Sequence, residues 1–235
     1  MIDVKRRTRW ENCGLCGEFR ITTREHVVPR SLYPVSKSNS TFQRITIAAC
    51  ATCNNGTADD DAHFRNVVVV AGEPNDAVKE LWSGPVHRGF DQVDGRRRAR
   101  DLFNLMRPAP DIGPNLYRIY PAEDPRVLRI IRKIIRGLSR YHELTGPVSD
   151  GQVFADVLRQ PIPQEIVAAM EHKTAEPDIL EYGYLCLDEP PGLLSAWFLR
   201  FYERTSFLGL VFADEAARQE HIDPKPNTQR GSNAA

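Results

Sequence analysis

Nowhere in its 235 residues does this chain carry the ~20 consecutive apolar positions that a membrane-spanning helix requires, so it reads as a soluble protein with no membrane partner. Met1 to Arg9 is basic but no apolar segment follows it, so no secretory signal is read there, and a reducing cytoplasm is the expected compartment. Net charge is missing as well, since 31 Lys and Arg meet 31 Asp and Glu. Cysteine is scarce, and five residues are too few for a disulfide-stapled scaffold at this length. Apolar residues make up 41% of the chain, which excludes disordered and collagen-like classes and is enough to bury a core.

Neutrality conceals an uneven distribution. Up to Cys50 there are nine Lys and Arg against four Asp and Glu. Further on, Arg126, Arg129, Arg132, Lys133, Arg136 and Arg140 fall in a stretch with no acidic residue between Asp124 and Glu143. A polyanion responds to the local field rather than the chain total, so a neutral chain is compatible with a nucleic-acid partner.

The cysteines at 13, 16, 50, 53 and 186 make two C-x-x-C pairs and one remainder. Paired knuckles of this spacing in a reducing compartment hold a metal, because four thiolates supply the soft tetrahedral shell that zinc prefers. Cys13, Cys16, Cys50 and Cys53 are therefore read as a structural zinc site, with an iron–sulfur centre or a redox dithiol as the alternative. Cys186, inside Tyr182-Gly183-Tyr184-Leu185-Cys186-Leu187, reads as a small buried residue of a strand. The 33 residues between Cys16 and Cys50 exceed what a simple ribbon needs, so something is built inside that gap.

Phe19 to Thr23 has the β-branched and aromatic content of a strand, Pro29 stops any helix, and a polar stretch runs from Ser36 to Thr41. Arg44 to Ala49 forms a second strand that delivers Cys50. Asn54-Asn55-Gly56 predicts a tight turn, and Thr57 with Asp60 predicts a capping box that opens a helix through about Val69. The order knuckle, hairpin, knuckle, helix lets the metal pin the helix start against the hairpin, and such a module is expected to unfold without its metal.

With these elements in place, Cys13-x-x-Cys16, Glu25-His26-Val27-Val28-Pro29 and Cys50-x-x-Cys53-Asn54-Asn55, leading to Asp61 and Phe64, resemble an HNH endonuclease over roughly the first 65 residues. The resemblance implies a ββα-metal nuclease site on a treble-clef zinc scaffold, hydrolysing phosphodiester bonds in nucleic acid, DNA first, with one divalent ion. His26 stands at the place of the family's general base, and Glu25 at that of a ligand to the catalytic metal. Asn54 matches the motif's last position. The family's central Asn has no counterpart; Gln43 and Arg44 fall there, and the Gln43 amide would orient the base. The ligand on the helix falls among Asp59, Asp60 and Asp61, with Asp61 preferred by analogy and His63 as a fallback.

These residue types suit the chemistry. An imidazole near its ordinary pKa accepts a proton from water at neutral pH. The carboxylates of Glu25 and Asp61 with the amide oxygen of Asn54 suit magnesium or manganese, which polarises the phosphate and stabilises the leaving 3′-oxygen. Neighbouring strand residues face opposite ways, so Glu25 and His26 serve metal and water together only if the backbone bends there. A structural reading stands beside each: Asp59 to Asp61 as charges favouring the helix dipole, Glu25 as a surface carboxylate, and the whole module as an inactive nucleic-acid-binding or adaptor unit.

Beyond a composition shift at Gly72 to Arg100, a boundary is placed near residue 73. Pro125 to Tyr141 predicts an amphipathic helix with Val127, Ile130, Ile131, Ile134, Ile135 and Leu138 on one face. Arg129, Arg132, Lys133, Arg136 and Arg140 lie on the other, either contacting phosphates or solvating an ordinary core helix; Arg24 and Arg30 are further candidate nucleic-acid contacts. Gln164 to Lys173 predicts a helix, and Ile179–Leu187, Ala196–Tyr202 and Phe207–Phe212 predict strands of an antiparallel sheet packed on helices. The expected organisation is α+β: a ββα-metal (treble-clef) zinc module over 1–73, an α+β domain over 74–220 that aids substrate or partner binding, and a disordered tail over 221–235. A homodimer would suit double-strand cutting.

Overall fold

The structure, a computed structural model, describes residues 8–110, 113–114, 117–119, 121, 124–189 and 192–222. The polar end from Pro224 to Ala235 lies outside the described residues. Strands β1 (Arg9–Asn12), β2 (Phe19–His26) and β3 (Thr46–Cys50) form an antiparallel sheet in the order β1-β2-β3. Two 3-10 turns, Arg30–Leu32 and Val35–Asn39, fill the loop before β3. Helices α1 (Ala51–Asn55) and α2 (Ala58–Ala71) follow directly. The capping box at α2 does not form: Thr57 makes no cap hydrogen bond, because its hydroxyl accepts instead from Lys133 Nζ at 2.8 Å. Asn54 and Asn55 complete α1, so the tight turn falls one step later than the sequence suggests.

Short helices α3 (Asp76–Leu81), α4 (His87–Phe90) and α5 (Gly95–Phe103) lead to a small pair, β4 (Met106–Pro108) and β5 (Tyr117–Ile119). Helix α6 (Pro125–Tyr141) begins as its sequence requires: Asp124 accepts from Arg126 N at 2.9 Å and Pro125 takes the first turn. Strand β6 (Val153–Val157), helix α7 (Gln164–Ala169), strands β7 (Glu171–Glu176), β8 (Leu180–Glu189), β9 (Leu193–Phe201) and β10 (Thr205–Phe212), and helix α8 (Glu215–Ile222) complete the chain. The five strands form one antiparallel sheet in the order β6-β10-β9-β8-β7, and alternate residues of β9 and β10 are buried. The mixed helix and antiparallel-sheet class matches the composition of the predicted elements.

Two local expectations fail. The helix predicted through Lys173 stops at Ala169, and Glu171, His172 and Lys173 instead pair with Tyr184, Gly183 and Tyr182 of β8. Ladder pairing to a strand edge outweighs the helical preference of so short a segment. Cys186 is in a strand but exposed. It shares the parity of buried Tyr182 and Tyr184, but it lies beyond the covered part of that face, where the register slips between Cys186 and Glu189.

Helix α6 sits between the two sheets. Its apolar stripe, including Ile130, Ile131, Ile134 and Ile135, is wholly buried and belongs to one core with Val27, Phe64, Trp197, Phe201 and Phe207. That core spans both sides of residue 73. Two glycines set how closely the helix is held. A Cβ on Gly209 of β10 would meet Ile135 Cδ1 at 2.1 Å, and one on Gly137 of α6 would meet Val27 Cγ1 at 2.8 Å. The interior glycine, which costs a helix about 1 kcal/mol, lets α6 press against the chain just past the end of β2.

Candidate metal centre and active-site cleft

The sulfur atoms of Cys13, Cys16, Cys50 and Cys53 all lie within 4.8 Å of one another, and Cys16 and Cys50 are 3.9 Å apart. Tetrahedral zinc with ~2.3 Å bonds sets sulfurs about 3.8 Å apart, so the four thiols can hold a structural metal ion such as zinc. Gly17, at φ +77°, turns the first knuckle back so that its N–H donates to Cys13 O at 2.8 Å. Gly14 N donates to Ala48 O at 2.8 Å and joins that knuckle to β3. Burial would raise the Cys13 thiol, but N–H groups of Cys50, Cys16 and Leu15 donate to its sulfur and lower it to about 7, toward the thiolate a metal takes. Arg136 of α6 grips the same loop through Leu15 O at 2.8 Å.

Beside this centre the end of β2 packs against α1, and Lys133 of α6 reaches both Glu25 at that end and Thr57 just ahead of α2. Glu25 points into the protein, 7% exposed, with Oε1 2.6 Å from Lys133 Nζ. Burial raises its carboxyl, against the pull of Lys133. Asn54 of α1 donates Nδ2 to Thr23 Oγ1 at 2.8 Å and to Arg24 O at 3.4 Å, which fixes its amide against β2. The three aspartates of α2 separate cleanly. Asp59 is exposed, Asp60 accepts from Arg129 Nη1 at 2.6 Å, and Asp61 turns inward. Asp61 Oδ1 is buried with no hydrogen-bond partner. Burial lifts its carboxyl from 3.8 to about 6; Lys133 opposes the shift, while Glu25 and Asp60 add to it. Glu25 and Asp61, which feel each other's charge, thus offer carboxylate oxygens, one of them buried and unsatisfied, of the kind a hard divalent ion takes, while Asn54 is held to β2 by Thr23 and Arg24. Among the described residues, the cysteines are the only group of three or more His, Cys, Asp or Glu side chains close enough to share an ion. His63, whose Nε2 lies 2.8 Å from Asp124 Oδ2, is committed elsewhere.

His26 is the last residue of β2 and pairs regularly with Thr46, so the chain bends only after it, at Val27 and Val28. Regular pleating sends the Glu25 and His26 side chains to opposite faces, although their Cα atoms stand only about 3.8 Å apart. Burial lowers the imidazole pKa, and the guanidinium groups of Arg30, Arg44 and Arg24 lower it further, so the ring is neutral at pH 7 and able to accept a proton. Arg24 and Arg30 are exposed, whereas Arg44 stacks over Tyr33 with its guanidinium carbon 3.3 Å from the ring centroid. Gln43 is exposed, and no described residue hydrogen-bonds the His26 ring.

Most cations of α6 are paired with groups of the protein itself, although Arg129 and Arg140 stay exposed. Besides Lys133 on Glu25 and Arg129 on Asp60, Arg132 Nη2 pairs with Asp150 at 2.9 Å and Arg136 Nε donates to Val148 O at 2.6 Å. Lys133 paired with Glu25 is the feature a sequence reading misses. Its signal is positional: it lies three residues after Ile130 and four before Gly137, on a face that is otherwise apolar, so a charge there has to find a buried partner.

No protein-family model, curated protein or solved structure matches this chain. Among the described residues, no helix is long and apolar enough to cross a membrane.

Proposed function

We propose that the chain is a metal-dependent endonuclease of the HNH type that hydrolyses phosphodiester bonds in DNA. One observation supports the reading: Lys133 of α6 pairs with Glu25 at the end of β2 and reaches Thr57 just ahead of α2, where Asp61 keeps a buried carboxylate oxygen unsatisfied, in the same module as four cysteines whose sulfurs can share an ion. Glu25, Asp61 and the Asn54 amide oxygen would hold a magnesium or manganese ion, which when bound supplies charge neutralisation for the scissile phosphate. His26, neutral at physiological pH, takes the proton from the attacking water once the chain at Val27 and Val28 turns its ring from the opposite pleat face toward the ion. Arg24 and Arg30, exposed around that imidazole, contact the flanking phosphates. The four thiolates hold zinc and keep α1 and α2 against the hairpin.

Nicking of supercoiled plasmid by the zinc-loaded protein with magnesium or manganese tests the reading. His26→Ala is expected to lower the rate by at least about a hundredfold, with zinc content and DNA retention unchanged. No nicking by the wild type with either metal removes the enzyme, and wild-type rates in the variant remove His26 as the base.

A second reading, an inactive zinc-stabilised nucleic-acid-binding or adaptor protein, draws on Lys133 holding Glu25 and on the exposed position of Gln43. It predicts salt-dependent DNA retention with no cleavage.

A further inference from the structure

We propose that Lys133 is the resident counter-ion of the cleft: its ammonium holds Glu25, and a divalent ion binds only by taking that carboxylate from it. The inference rests on the nuclease reading above and concerns how its metal is admitted. Lys133 and Glu25 are each about nine-tenths buried, with Nζ 2.6 Å from Oε1. The same Nζ donates to Thr57 Oγ1 at 2.8 Å, at the N-terminus of α2, whose Asp61 keeps a buried carboxylate oxygen without a partner. Glu25 is paired with the ammonium while Asp61 feels it only through charge and takes a hydrogen bond from Thr57, so one negative charge stays uncompensated, whereas a dication balances both. Charge therefore favours replacing the lysine, and the strong hydrogen-bonded ion pair with Glu25 opposes it.

The lysine reaches this place because α6 is held tightly there. Lys133 lies on the same helical face as Ile130, Ile134 and Gly137, and Gly137 allows the helix to touch Val27, the residue after His26. When Lys133 releases Glu25, Thr57 remains as its partner. The affinity of the cleft for a divalent ion is thus set by a helix outside the zinc module, and any shift of α6 along β2 changes it.

The test is manganese binding to the zinc-loaded full chain, read from the paramagnetic resonance signal of free Mn²⁺. Lys133→Met is expected to bind Mn²⁺ at least tenfold more tightly than the wild type, and equal or weaker affinity overturns the proposal. Removing one partner of a buried pair can prevent folding, so a second measurement uses the wild type alone. Lys133 is acylated with acetic anhydride, with and without Mn²⁺, and read by mass spectrometry. Labelling of Lys133 is expected to rise several-fold with Mn²⁺ while exposed Lys173 stays constant, and unchanged Lys133 labelling overturns the proposal. Metal-dependent nicking by the wild type together with unchanged labelling and unchanged affinity sinks the counter-ion role but leaves the nuclease. No Mn²⁺ binding by either protein, with no nicking, sinks both.

Discussion

Two aspartates next to α2 and α6 experience opposite environments. Asp124, 6% exposed, caps α6 by accepting from Arg126 N, and it also takes Arg126 Nη2 at 2.6 Å and His63 Nε2 at 2.8 Å. Burial alone would raise its carboxyl, but the hydrogen bonds and charge of Arg126, with His63, hold it below the usual carboxylate range. Asp61 is also turned inward, yet its Oδ1 has no partner and its carboxyl stands near 6. One acid is saturated with donors and serves the fold, while the other is left short of positive charge at a place where the four-cysteine unit and α6 meet. Unsatisfied buried oxygens are costly in folded chains, and Asp61 Oδ1, like Glu176 Oε2, is one a ligand would relieve.

The comparison depends on the frame that holds α1 and α2 in place, so the largest effect is expected from metal removal. Stripping the four-thiol centre with a strong chelator, or making Cys50→Ser, should unfold the hairpin and both helix starts. Structural zinc is worth ~10–16 kcal/mol in small modules. Thermal melting with simultaneous colorimetric zinc release checks this, and a melting curve unmoved by loss of the metal would show that the apolar core holds the module unaided.

Next come the two acids themselves. Asp124→Asn leaves the half-buried Arg126 guanidinium without its main partner, and it should destabilise the protein toward the lower end of ~3–5 kcal/mol because Arg126 is partly solvated. Asp61→Asn should act in the opposite direction in magnesium-free buffer. A carboxyl raised from 3.8 to about 6 penalises the charged form at neutral pH, so its removal stabilises by roughly 1–3 kcal/mol, while metal-dependent nicking is lost. Denaturant melts of both variants decide it; destabilisation by Asp61→Asn would mean that Lys133 already satisfies that acid.

The same pair differs in pH response. Asp61, raised in the folded state, contributes stability that is present below its unfolded value and lost as pH climbs through about 6. Asp124, depressed in the folded state, contributes stability that persists above its unfolded value and disappears only as pH falls through its folded one. Between pH 5 and 8 the gap between Asp61→Asn and the wild type should widen with pH before levelling off, while the gap for Asp124→Asn stays flat at higher pH and widens only as pH falls through the range where His63, which Asp124 supports, takes a proton. Melts across that range, with zinc kept bound and magnesium absent, read both slopes.

These contrasts separate what a linear reading can reach from what it cannot. Helix α6 was legible because Asp124, Pro125 and the spaced isoleucines state its start and its buried face locally. The strands from Leu180 to Phe212 were legible by alternation, and the two knuckles by spacing. Strand β1 carries little local signal and exists because Arg9 to Asn12 pair with Thr22 to Phe19. The end of α7 is decided by β8, and the pairing of Asp60 by Arg129 arriving from α6. Contacts of that kind join residues far apart in the chain, and no period or cap announces them.

The smallest expected effect concerns the fifth cysteine. Cys186 lies on β8 with its side chain exposed, outside the four-sulfur group, so Cys186→Ser removes neither a metal ligand nor a packed side chain. Surface substitutions of this sort change stability by within about 0.5 kcal/mol. Zinc stoichiometry and melting temperature should therefore match the wild type, while the same change at Cys13, Cys16, Cys50 or Cys53 lowers both. A loss of zinc in Cys186→Ser would place the sulfur of β8 in the metal's reach, and it would break the division between an amino-terminal sheet held by four thiols and a second sheet held by apolar burial and its own ladders.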